Sequence, residues 1–152
     1  EQPQEEVDTD NVYEATLEYI MQSKIQEMSN TCNRLITNGF DIELSDGETH
    51  HFSLTIQDQL NLITLSSLVS SGETEIPYHA DGELCKYYSN IDIMSIVAKA
   101  TEFKTYQVTY YNSLKAYIES LDSIEDISRI EYGVEIPTEY QSEILKGMLT
   151  NA

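Results

Sequence analysis

The sequence predicts an α+β fold, with two or three long or medium helices and two small antiparallel β-hairpins flanking a short helix. The helices are expected to form a helical hairpin or bundle. Three observations predict this. Asp-Gly occurs twice between alternating apolar residues, at Asp46-Gly47 and Asp81-Gly82, and it marks hairpins because Gly accepts a positive φ while Asp caps the turn. Two long stretches space their apolar residues 4-3-4-3, the rhythm of an amphipathic helix with a narrow seam. Ser or Thr followed three positions later by Asp or Gln opens further helical stretches, which is the capping-box signature.

In chain order, residues 1–10 read as an acidic extended lead-in. A long N-terminal helix follows over 11–38 and stops at Asn38-Gly39. Its seam, Leu17, Met21, Ile25, Met28, Cys32 and Leu35, is the candidate oligomer interface; packing on the helix's own domain accounts for it equally well. Residues 39–103 form a hairpin–helix–hairpin–helix unit. A three-residue loop Ser45-Asp46-Gly47 sets Phe40 opposite Phe52 and Ile42 opposite His50, which keeps the apolar side chains on one face. The same design predicts a loop Ala80-Asp81-Gly82 with Tyr78 opposite Leu84. Between the hairpins, Thr55 and Asp58 cap a helix running to about Ser71, with Ile56, Leu60, Ile63, Leu65, Leu68 and Val69 facing inward. Asp58 is explained by its place in the first helical turn, without chemistry.

The longest helix starts at the box Ser89–Asp92 and runs to about Leu121, through Ile96, Ala100, Phe103, Gln107, Tyr110, Leu114 and Tyr117. At about 1.5 Å per residue it spans roughly 50 Å, so its apolar face needs a second long element, in the same chain or in another copy. The helical C-terminal part, 104–152, ends in a short helix capped by Ser123 and a last helix opening at Thr138. The last helix is expected to bury Tyr140, Ile144, Leu145 and Met148.

Charge excludes several functions. The chain carries 27 acidic and 8 basic residues, a net charge of -19, and no two basic residues adjoin. No cationic stripe exists to hold a phosphate backbone, so nucleic acid is not an expected partner. An anionic membrane surface repels the chain, and no apolar run approaches the roughly 20 residues of a membrane span. Cys32 and Cys85 are expected to be buried thiols, as in a reducing compartment. The sequence shows neither a starting Met nor a signal peptide, the pattern of a processed or trimmed chain.

No catalytic constellation emerges. His50 and His51, adjacent in a strand, point to opposite faces and do not share a site, and no Cys or His pair has zinc spacing. No metal or cofactor is expected. Paired carboxylates occur everywhere in so acidic a chain and specify no glycosidase chemistry. There is no GxSxG and no Gly-rich phosphate loop. The chain is therefore not expected to be an enzyme. Tyr106, Tyr110, Tyr111 and Tyr117 are the candidate partner surface, since Tyr offers a large contact area with a polar tip; a partly wet helix–helix seam is the competing explanation.

The order Gly39-Phe40-Asp41-Ile42, Asp46-Gly47, His51-Phe52, Gln57-Asp58-Gln59-Leu60-Asn61-Leu62, His79-Ala80-Asp81-Gly82 and the helix from Ile91 resembles a domain of unknown function in phage and prophage tail-fibre and tail-associated proteins. The resemblance covers about residues 34–103. Where members commonly carry W-x-x-x-D-G, this chain has Tyr78 and no Trp. The resemblance implies a non-enzymatic structural component of a phage tail or tail fibre, made in the bacterial cytoplasm and located in the virion. Its implied partners are other tail proteins and further copies of itself, with a trimer as the default for fibre-like parts. Two other functions remain open: a tail-fibre assembly chaperone absent from the finished particle, and an enzyme acting on cell-wall glycan.

Overall fold

A computed structural model describes residues 8–152. The chain is α+β as expected: among the described residues, five α-helices accompany two separate two-stranded antiparallel sheets. The first seven residues of the expected acidic lead-in lie outside the described residues, and helix α1 (Thr9–Asn38) already begins within its last three. The chain divides into two compact units. One holds the described residues up to Thr31 together with Thr109–Ala152, and the other is Cys32–Val108.

The Cys32–Val108 unit follows from the hairpins. Helix α1 ends at Gly39, whose φ of 83° only glycine adopts freely. A Cβ there would stand 1.9 Å from the Phe52 carbonyl oxygen and 2.6 Å from Ser53 Cα. Strand β1 (Phe40–Glu43) can therefore turn directly off the helix and pair with β2 (Thr49–Phe52). Phe40 faces Phe52 and Ile42 faces His50, the register expected from face alternation. Leu44 donates to the Glu48 carbonyl, which closes the three-residue Ser45-Asp46-Gly47 loop.

The second hairpin departs from expectation. β3 (Glu75–Tyr78) pairs with β4 (Lys86–Ser89), setting Tyr78 opposite Lys86 rather than Leu84. The loop is longer because its turn residues bond to the first hairpin. Asp81 N–H donates to the His51 carbonyl at 2.9 Å, and the Asp81 carboxylate accepts from Ser53 N–H and Oγ at 3.2 and 3.0 Å. Leu84 and Cys85 consequently sit exposed in the loop, so Cys85 is not the buried strand residue expected.

Phe52, 1% exposed, is the hub of this unit. It stacks on Phe40 with ring centroids 6.1 Å apart and lies parallel to Tyr78 at 5.9 Å. Tyr88 meets it edge-on at 6.2 Å. Burial pushes the Tyr78 phenol up to about 12. Helix α2 (Ile56–Ser70) carries the expected capping box between Thr55 and Asp58. Burial alone would raise Asp58, but hydrogen bonds from Thr55 and Ser53 outweigh it and hold the carboxyl below its usual value. Helix α3 (Asn90–Ser120) is opened by Ser89 Oγ, which accepts from Asp92 N–H. The Asp92 carboxylate in turn accepts from Ser45 in the first hairpin's loop, through its hydroxyl at 2.6 Å and its amide.

The second unit has its own core of Ile25, Met28, Tyr110, Leu114, Ile118, Ile127, Ile130, Ile136 and Leu145. Helix α4 (Ile124–Ser128) is capped by Ser123 as expected. The last helix differs: Thr138–Tyr140 is a single 3-10 turn without a side-chain cap, and α5 (Glu143–Thr150) starts later, capped by Ser142. Pro137 precedes Thr138 and the Ser142 amide donates to the buried Ser113 hydroxyl at 3.1 Å, so the chain meets the core before the helix begins. Leu145 is buried as expected and Tyr140 and Met148 partly so, whereas Ile144 is exposed.

Gly39→Ala is expected to destabilise the protein by at least about 3 kcal/mol, combining left-handed strain with a backbone clash. Chemical denaturation measures this, and a loss under about 1 kcal/mol would contradict the close approach.

Candidate functional site

The helix α2 was expected to turn its apolar residues inward; it does so with only some of them. Leu62 and Leu65 are buried, while Ile56, Leu60, Ile63 and Leu68 are exposed, Ile56 by 80% and Ile63 by 67%. The reason is that α2 is apolar on two sides. Residues 62, 65 and 69 make one stripe, and residues 56, 60 and 63 make another, also at helical spacing. The inner stripe is buried at Leu62 and Leu65, and the outer one is left as a ridge.

Beside that ridge runs a groove between α2 and α3 of about 390 Å³, walled by Leu54, Leu62, Ile63, Val97 and Ala100 and flanked by Lys104. Ile63 belongs to both ridge and groove. Lys104 Nζ donates to Gln59 Oε1 at the groove's edge. The groove lining offers contact area and no cluster of reactive groups.

The α1 seam is distributed differently. Ile25, Met28 and Cys32 are buried within the chain itself. Ile25 and Met28 belong to the core with Tyr110 and Leu114, and Cys32 Sγ contacts the Gln107 carbonyl at 3.5 Å. Leu17, Met21 and Leu35 are half-buried. Packing inside one chain therefore occupies the centre of the seam, and what α1 leaves at the surface is nearer its start, at Val12, Tyr13 and Tyr19.

The four tyrosines do not form one surface. Tyr110 is 7% exposed, its hydroxyl donating to the Val134 carbonyl at 2.7 Å and accepting from Gly133 N–H at 2.9 Å. It clamps the C-terminal connector, with Tyr132 packed edge-on at 5.0 Å. Tyr117 is half-buried against Tyr140, and Tyr111 is half-buried as well. Tyr106 is exposed and belongs to the other unit.

Two histidines act as ionic clasps in the hairpin unit. His50, buried, bonds Glu83 Oε2 through Nδ1 at 2.8 Å and Asp46 Oδ2 through Nε2 at 2.7 Å. A ring holding a carboxylate at each nitrogen is best satisfied as the doubly protonated imidazolium, and the bonds to Glu83 and Asp46 raise the His50 pKa. His51 bonds Asp41 through Nδ1 at 2.7 Å and the Asn38 carbonyl through Nε2, and its pKa is raised too, with Asp41 the larger cause. The bond from the Glu48 amide, then His50, lowers Asp46. Asp46, Glu48 and His50 bring one ligand atom each within 4.8 Å of one another, a grouping the sequence reading did not anticipate. Both His50 nitrogens are occupied by carboxylates, so the grouping is satisfied as an ion-pair network linking the two hairpins.

Comparison with known proteins returns no match among family models, curated sequences or solved structures. Among the described residues no helix is long and apolar enough to cross a membrane.

The clasps make stability pH-dependent. His50 and His51 have folded pKa values raised above 6.5, so their contribution is complete below about pH 6.5 and is lost as pH rises through the folded values. Asp46 and Asp58, held below 3.8, contribute above that value and lose their effect as pH falls through the folded values. Melting temperature should therefore fall by about 3 °C or more between pH 6 and pH 9, and His50→Gln should flatten that decline. A wild-type melting temperature indifferent to pH over this range would contradict the clasps.

Proposed function

We propose that the chain is a non-enzymatic structural or assembly component that works through protein–protein contacts, as a part of a phage tail or tail fibre. The observation that carries the contact role is the exposed ridge Ile56–Leu60–Ile63 beside an apolar groove. Interfaces are marked by depletion of charged residues at their centre. Helix α2 has one charged residue, Asp58, already used in its own capping box, in a chain whose net charge is -19. A helix that is apolar on two sides has one face for its own core and one for another protein.

The tail assignment rests on the resemblance in residues 34–103, with its Asp-Gly turns and the Asp58-Gln59-Leu60-Asn61-Leu62 run. Partners in this reading are other tail proteins and further copies of the chain. Charge argues against nucleic acid and anionic membrane as partners.

Mass spectrometry of purified particles from the encoding strain is the test. The structural reading expects the chain in the particle at stoichiometric level. A chain present in the producing cell and missing from the particle would instead identify an assembly chaperone, using the same ridge transiently.

A further inference from the structure

The apolar ridge could be covered by a different protein or by a second copy of this chain, and the distribution of charge separates the two. Residues 53–72 and 90–108, which hold α2 and the part of α3 beside it, contain three acidic residues (Asp58, Asp92, Glu102) and two basic ones (Lys99, Lys104), a net of -1. The remaining residues therefore carry -18 of the chain's -19. Two copies that approach through almost any other surface meet strong like-charge repulsion. The α2–α3 face is where that repulsion is weakest and where apolar area is available.

The face also carries both a ridge and a groove. The ridge (Ile56, Leu60, Ile63) runs alongside the groove walled by Leu62, Val97 and Ala100. A two-fold axis sets each copy's ridge into the other's groove, the isologous arrangement in which one patch serves both partners. We propose that this chain forms a two-fold dimer through the α2–α3 face, each ridge seated in the partner copy's groove. The proposal deepens the contact role proposed above and rests on the ridge being a contact surface.

The strength expected is modest. Helix α2, 15 residues long, spans about 22 Å, and ridge plus groove are about 20 Å wide, a footprint of roughly 450 Å² per copy. That is the size of a transient interface, with a dissociation constant of about 10–100 μM. Salt should strengthen the dimer, because it screens the repulsion between two copies of net charge -19 while leaving the apolar contact in place.

Sedimentation equilibrium of the full chain, at concentrations from about 1 to 500 μM and at low and high salt, tests this. The expected result is a monomer–dimer equilibrium that tightens about tenfold or more from 0.05 to 0.5 M NaCl. Ile56→Glu with Ile63→Glu should abolish it while far-UV circular dichroism stays unchanged, since both side chains are largely exposed. If the charged pair unsettles the fold, Ile56→Ser with Ile63→Ser should weaken the dimer by about tenfold with the fold intact. A monomer at every concentration and salt would overturn the proposal. So would an oligomer insensitive to both α2 pairs and lost on Leu17→Glu with Met21→Glu; that outcome leaves the assembly role standing through the α1 seam. Absence of the chain from particles bears on the tail assignment and not on the dimer, so the two failures are distinguishable.

Discussion

The hairpin unit depends on one close approach, that of Gly39 to the Phe52 carbonyl. With 1.9 Å available to a Cβ, only glycine lets helix α1 stop and β1 begin at the next residue. Because β1 begins there, Phe40 faces Phe52, and Phe52 becomes the ring on which Tyr78 and Tyr88 also pack. The second hairpin is tied to the first by Asp81 and Glu83, through the His51 carbonyl, Ser53 and the His50 ring. Two sheets that share no strand pairing are thus joined by side-chain and loop bonds. Helix α2, which lies between the two hairpins in the chain, buries Leu62 and Leu65 and leaves Ile56, Leu60 and Ile63 exposed.

The proposed contact role rests on that exposed stripe. A strongly anionic chain resists casual association, which makes a neutral apolar face selective: contact is favoured there and discouraged elsewhere. The imidazolium clasps at His50 and His51 belong to the same economy of charge, since each neutralises carboxylates that would otherwise repel one another within the hairpins. Of the α3 tyrosines, Tyr110 serves the interior. Tyr110 uses both hydrogen-bonding capacities of its hydroxyl on the connector at Gly133 and Val134.

Much of the fold was legible in the sequence because turn chemistry and caps are local. The Asp46-Gly47 hairpin, its register, the Thr55–Asp58 box and the Ser123 cap each needed only a few adjacent residues. The second register was not legible for a physical reason. Moving Tyr78 from Leu84 to Lys86 is a two-residue shift, which preserves every side chain's face, so alternation cannot distinguish the two. On α2, Leu62 with Leu65 and Ile56 with Ile63 both fit a helical period, and only tertiary packing decides which pair is buried. The start of the last helix was misplaced because Thr138, with Gln141 three positions on, carries the capping-box pattern, whereas Ser142 is followed at that spacing by Leu145. The Ser113 hydroxyl, far away in sequence, selects Ser142. Of the candidate site residues, the α1 seam was legible as a stripe, but the stripe could not say that Ile25 and Met28 would be covered by α3 and the C-terminal segment of the same chain.

In the proposed dimer the outer stripe of α2 is covered by a second copy of the chain. Carbene footprinting of the chain across a concentration series tests this at the side chains concerned. Labelling at Ile56, Leu60 and Ile63 should fall as concentration rises, while labelling at the still more exposed Leu84, in the second hairpin's loop, stays constant. Unchanged labelling of all four residues over that range would contradict the account.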